Sequence, residues 1–118
     1  MSRATEKLWL VPAGRRPVTG DPRLAPGARM LRLATARLLQ PDGPGELLVH
    51  RGRLRISELR DEGGEIARDV AQAGDVWRCQ PDPPPAGPAY PLARCVLMVL
   101  GESRVVLSPL PDSGEDTP

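Results

Sequence analysis

Residues 46–77 read ELLVHRGRLRISELRDEGGEIARDVAQAGDVW, and this run decides the fold. Glu46 to His50 is apolar and β-branched enough for a strand, which enters Gly52. Arg53 to Leu59 alternates, with Leu54 and Ile56 on one face and Ser57 marking a switch of faces. Alternation of this kind is the signature of a half-buried strand. Asp61-Glu62-Gly63-Gly64-Glu65 closes a charged hairpin, because paired glycines supply the positive φ of tight turns. Ile66 to Val70 runs back, Gly74-Asp75 turns again, and Val76-Trp77 opens a further strand.

Outside this run the same punctuation continues. Leu8-Trp9-Leu10-Val11 reads as a strand stopped by Pro12, and Ala13 to Gly27 has the proline and glycine content of a loop. Residues 28–40 fit either period: Leu31, Ala34, Thr35 and Leu38 follow helical spacing, whereas Leu31, Leu33, Thr35 and Leu39 alternate with Arg32 and Ala34. The β pattern on both sides favours a strand. Pro41 to Gly45 is a turn, and Gln80 to Pro91, with six prolines, is a stiff extended loop. Arg94 to Leu100 reads as a buried strand, Gly101-Glu102-Ser103 as a turn, and Arg104 to Leu107 as the last strand. The expected organisation is a strand with a Pro/Gly-rich arm over residues 1–27, a β-roll domain over 28–110, and a disordered acidic tail over 111–118.

The 118 residues suffice for one domain. With 15 Pro and 12 Gly against 40% hydrophobic residues, short apolar runs between turns favour an all-β chain over a disordered one. Aromatic residues make up 3%, so the core must come from Leu and Val, and stacking platforms for bases are scarce. The net charge of +1 divides unevenly: residues 1–60 carry twelve Arg or Lys against five acids, and residues 61–118 carry four against ten. The two halves can pair with each other in one fold, or expose a basic face to an anionic partner. No apolar segment approaches the ~20 residues of a membrane span, and no signal-peptide pattern is present, so a cytoplasmic location is expected.

Catalytic or metal-binding signatures do not stand out. His50 is the sole histidine, and with Cys79, Cys95 and Glu46 it forms no ligand set of diagnostic spacing; a solvent-facing or hydrogen-bonded histidine is the expectation. Cys79 and Cys95 read as buried reduced thiols rather than as a redox pair. Asp61, Glu62 and Glu65 are explained by a solvated hairpin tip. No Gly-rich loop precedes a helix, and no helix-turn-helix pattern occurs. Arg51, Arg53 and Arg55 would share one face of a strand; the solvent side of a half-buried strand is the simpler account of them, and a basic face for an anionic partner is the functional one.

Over residues 36–110 the chain resembles the effector domain of catabolite-activator/Fnr-type transcription regulators. The resemblance lies in the strand entering Gly52, the hairpin at Asp61 to Glu65, the Gly74-Asp75 turn before Trp77, and Leu100-Gly-Glu-Ser-Arg-Val-Val-Leu107 as a final roll strand. It implies a cyclic-nucleotide-binding-like β-roll. Where that family's phosphate cassette has Gly-Glu after the aromatic, this chain has Arg78 and Cys79, and Pro81 to Pro91 replaces the cassette's short helix. Arg94 falls near the family's phosphate-binding arginine, so the degenerate pocket implied by the resemblance involves Trp77, Arg78 and Arg94. The family's dimerisation helix and DNA-reading domain would follow Leu110; eight residues stand there, so DNA reading by a helix-turn-helix is not expected of this chain. Cupins share the roll and the Gly-Asp turn, but Pro41-Asp42-Gly43-Pro44 stands where their His-x-His would be.

The sequence thus predicts an all-β fold, a double-stranded β-helix or jelly roll of about eight short strands with proline-rich loops. It is expected to be a non-catalytic regulatory or interaction module, without cofactor, for a protein partner or a small anionic ligand; a homodimer is compatible with it. The alternative is a metal-free cupin-like binder of small molecules or a vestigial enzyme.

Overall fold

A computed structural model describes residues 7–18, 24–41, 43–83 and 86–110. The order of elements is β1 (Trp9–Arg15), β2 (Arg29–Leu33), β3 (Leu38–Leu39), β4 (Gly45–Arg51), β5 (Arg53–Leu59), β6 (Glu65–Gln72), β7 (Asp75–Gln80), β8 (Tyr90–Pro91), a single 3-10 turn (Leu92–Arg94), β9 (Cys95–Val99) and β10 (Ser103–Ser108). The strands form a six-stranded sheet, β2-β10-β4-β7-β1-β8, and a four-stranded sheet, β3-β9-β5-β6. All strand pairs are antiparallel. The all-β roll read from the sequence is the fold of the molecule. The expected tail, residues 111–118, lies outside the described residues, as do Asp42, Pro84 and Pro85.

The core forms where the inward faces of the two sheets meet. Leu10, Leu47, Val49 and Val105 from the larger sheet join Leu54, Ile56, Leu97 and Val99 from the smaller one, each at most 3% exposed. Burying an aliphatic side chain to this extent contributes about 1.5–3 kcal/mol. That is how a chain with so few aromatics assembles a core. Trp77 of β7 and Tyr90 of β8, both in the larger sheet, stack with ring centroids 6.3 Å apart.

Several elements depart from the local reading. Proline 12 does not stop the first strand: β1 continues to Arg15, and Pro12 pairs with Trp77. The missing N–H is tolerated because β8 flanks only Trp9 and Leu10, so β1 has a single neighbour by the time it reaches Pro12. The strand expected in the N-terminal arm is therefore hydrogen-bonded into the roll. The ambiguous segment 28–40 is two strands in different sheets, broken by a turn at Ala36, whose φ is 72°. The turn is held from outside, by Ala36 N–H donating to Val99 O at 2.7 Å and Val99 N–H donating to Arg37 O at 2.9 Å. The face switch at Ser57 is a register break between Ile56 and Ser57 against β6, and both residues are buried. The proline-rich stretch ends in β8, whose two residues pair with β1.

Gly52 is the corner at which the chain leaves the large sheet and enters the small one. Its φ is 89°, and a Cβ there would lie 2.0 Å from Ser103 Oγ and 2.8 Å from the Glu102 carbonyl oxygen. Only glycine fits both the conformation and the space.

Candidate functional site

Glu46 is the most heavily engaged charged residue. Leu47 and Val49 of β4 enter the core, so by alternation Glu46 faces the other side of the sheet. It is nevertheless 6% exposed. Register sets it opposite Arg78 of β7. Arg78 donates to Oε2 from Nη2 at 2.6 Å and from Nε at 3.1 Å, and Arg16 donates to Oε1 from Nη2 at 2.9 Å. Arg16 is itself fixed by its backbone N–H, which donates to Gly74 O at 2.8 Å. Burial alone would push the Glu46 carboxyl up. Hydrogen bonds from Arg78 and Arg16, with their charges, outweigh burial and hold it below the usual carboxylate range. Arg78 therefore already has an anionic partner.

Trp77, the neighbour of Arg78, points the opposite way, into the core. Arg94, on the 3-10 turn, reaches the β5–β6 hairpin. Its Nε and Nη2 donate to Leu59 O at 3.3 and 3.1 Å, and Nη2 also donates to Asp61 Oδ1 at 2.5 Å. Trp77, Arg78 and Arg94 thus do not converge. Adjacent strand residues face opposite sides of a sheet, and the turn carrying Arg94 lies beside a hairpin of the other sheet.

The expected face of Arg51, Arg53 and Arg55 is also divided. Arg51 ends β4 in the large sheet, whereas Arg53 and Arg55 belong to β5 in the small one, with the Gly52 corner between them. Arg55 is held by Glu65, with Nη2 donating to Oε1 at 3.2 Å, and lies 3.7 Å from Met98 Sδ.

Cys79 and Cys95 are free and buried. Burial pushes their thiols up to about 11 and about 12 respectively, so both are protonated at neutral pH and poor nucleophiles. His50 follows Val49 on β4. It is 4% exposed rather than solvent-facing, and both ring nitrogens lack a hydrogen-bond partner among the described residues. No three His, Cys, Asp or Glu residues cluster as a metal site among the described residues. A cleft of about 280 Å³ opens at one edge of the roll between Gly27, Pro41, Pro44, Glu46 and Pro109, and a second, of about 460 Å³, is lined by Arg32, Arg51, Glu102, Ser103 and Arg104. Arg16, Arg32 and Arg104 escaped the sequence reading, since their significance depends on which strands become neighbours. For Glu46 the sequence held half a signal, an acid in an otherwise apolar strand.

No protein-family model and no curated protein matches the chain. Among solved structures it is similar to a CooA mutant from Carboxydothermus hydrogenoformans, with 19% identity and a TM-score of 0.53 over 70% of this chain and 49% of that one. It is similar also to the reduced CO-sensing protein from R. rubrum, with 21% identity and a TM-score of 0.54 over 71% of this chain and 36% of that one. The heme domain of CooA from Rhodospirillum rubrum matches with 22% identity and a TM-score of 0.52 over 71% of this chain and 56% of that one. The chain spans only about a third to a little over a half of these structures. No helix among the described residues is long and apolar enough to cross a membrane. At this level of identity the likeness extends to the fold alone: the chain has a β-roll similar to that of the CooA structures.

Proposed function

We propose that this chain is a non-catalytic regulatory or interaction module, built on a sensor-type β-roll whose phosphate cassette no longer serves a cyclic nucleotide. Its partner is a protein or a small anion. The observation that carries this reading is the pairing of Arg78 with the buried Glu46. A nucleotide phosphate at Arg78 would meet an acceptor that is already in place and aligned. Arg94, the other candidate, is held by Asp61 and the Leu59 carbonyl.

The leucine and valine side chains between the sheets support the same reading, because they occupy the space that an enclosed ligand would need. This also weighs against the metal-free cupin-like alternative. Haem, named for the CooA domain, does not fit the residues here either. Cys79 and Cys95 are packed among core aliphatics, and His50 faces away from them on β4.

Thermal unfolding of the full chain with cyclic AMP and cyclic GMP tests the proposal. No stabilisation is expected. A ligand at a hundred-fold excess over its Kd adds about 2.7 kcal/mol. For a domain of this size that amounts to about 10 °C or more, and a rise of that order would overturn the reading.

A further inference from the structure

We propose that Arg32, Arg104 and Arg51 form a binding site for a small polyphosphate-type oxyanion on the outer face of the six-stranded sheet. The site is separate from the roll interior and from the Glu46–Arg78 pair. These arginines stand on three adjacent strands, β2, β10 and β4, and register sets Arg104 directly opposite both Arg32 and Arg51. Strands lie ~4.8 Å apart, so the three Cα atoms fall in a row roughly 10 Å wide. A di- or triphosphate chain matches such a row, and each guanidinium offers a planar fork suited to phosphate oxygens.

Like charges placed directly opposite on a sheet are unfavourable. Arg15, Arg16, Arg55, Arg60, Arg68, Arg78 and Arg94 each reach a carboxylate, whereas Arg29, Arg37 and Arg53, like the cleft arginines, do not among the described residues. None of the three ladder arginines has a carboxylate within ion-pair distance among the described residues. The repulsion is nonetheless concentrated where all three line one cleft of about 460 Å³.

Two local features aim the side chains. The β4–β10 register breaks between Arg104 and Val105, leaving His50 and Arg51 together opposite Arg104. A bulge of this kind turns a side chain that strict alternation would send inward, here Arg51, toward the face of Arg104. The other wall is fixed by Ser103, whose Oγ donates to Gly101 O at 2.6 Å and accepts from Arg53 N–H at 3.2 Å. Glu102 lines the same cleft and opposes an anion, so it limits affinity. No aromatic residue lines the cleft, and three arginines in a short row fit a compact anion better than an extended nucleic-acid strand.

The test is thermal unfolding and calorimetric titration of the full chain with inorganic pyrophosphate and tripolyphosphate, against sulfate at matched ionic strength. Both phosphates are expected to raise the Tm by several degrees more than sulfate does. In Arg104→Gln this response should vanish, while its Tm without ligand, at low salt, equals or exceeds that of the wild type because the repulsion is relieved. Glu102→Gln should bind several-fold more tightly, and Arg37→Gln, outside the cleft, should bind as the wild type does. Arg32→Gln, on an edge strand, gives a second reading of the binding and should weaken it at least several-fold.

Equal responses to sulfate and the phosphates, or an undiminished response in both Arg104→Gln and Arg32→Gln, would overturn the proposal. So would an Arg104→Gln chain much less stable than the wild type. An oligonucleotide that binds more tightly than tripolyphosphate would also overturn it, if its salt slope is steeper than the roughly −2.7 of three neutralised duplex phosphates. Cyclic nucleotides are scored separately on the same chain, so failure here and failure of the proposed function are distinguishable.

Discussion

Replacing Gly52 by alanine tests the corner on which the whole arrangement depends. Two penalties combine. A φ of 89° places an L-residue in the left-handed region, at about 1–2 kcal/mol. The new Cβ would lie 2.0 Å from Ser103 Oγ, 2.7 Å from Ser103 Cβ and 2.8 Å from the Glu102 carbonyl oxygen. Rotating the serine hydroxyl away leaves the other two contacts and breaks its bonds to Gly101 O and Arg53 N–H. Overpacking of this kind adds about 1–3 kcal/mol. The expected loss is about 2–5 kcal/mol, or roughly 10–30 °C in Tm for a domain of this size.

Gly63→Ala separates the two terms. Gly63 has a φ of 93°, yet nothing lies within 4 Å of its would-be Cβ. Its loss should stay near the conformational part, about 1–2 kcal/mol. Urea unfolding of both variants, fitted with a common slope, measures the difference. Equal losses would show that the steric contact at Gly52 is absent in solution and would refute the description of the corner.

Three further outcomes are expected. Glu46 titrates lower in the folded chain than in the unfolded one, so it contributes stability above its unfolded value, and that contribution is lost as pH falls through the folded value. Glu46→Gln should therefore flatten the acid limb of a Tm-against-pH curve and lower the Tm near neutrality by several degrees; an unchanged acid limb would contradict the pairing. Cys79 and Cys95, pushed to about 11 and about 12, should resist a thiol reagent at pH 7.5 until the chain is unfolded; prompt labelling of the native protein would contradict their burial. Ala36→Gly, at a φ of 72°, should stabilise the chain by about 0.5–1 kcal/mol, read by urea unfolding.

The sequence by itself determined the parts of this protein that depend on neighbours along the chain. Alternation from Arg53 to Leu59 and the glycine pair at 63–64 specify β5, the hairpin and β6, because side-chain period and positive φ are local properties. Gly52 was legible as the end of a strand, and the thiols as buried reduced residues; that Gly52 is the corner between sheets was not. The limits of local reading are clearest at Pro12. That proline breaks a strand in isolation, and it is accommodated only because β8 is too short to need its N–H.

Tertiary structure alone decided the chemistry of the surface. Arg78 meets Glu46 because β4 and β7 are neighbours in one register, thirty-two residues apart in sequence. Trp77, Arg78 and Arg94 separate for the same reason, since strand parity and sheet membership outrank closeness in the chain. Arg51, Arg53 and Arg55 look like one basic stripe in sequence and are split by the corner at Gly52. Arg32, Arg51 and Arg104 look unrelated and are brought side by side by β10, which pairs with both β2 and β4. Charges act through space, and in a sheet that space is assigned by hydrogen-bonded register rather than by order along the chain.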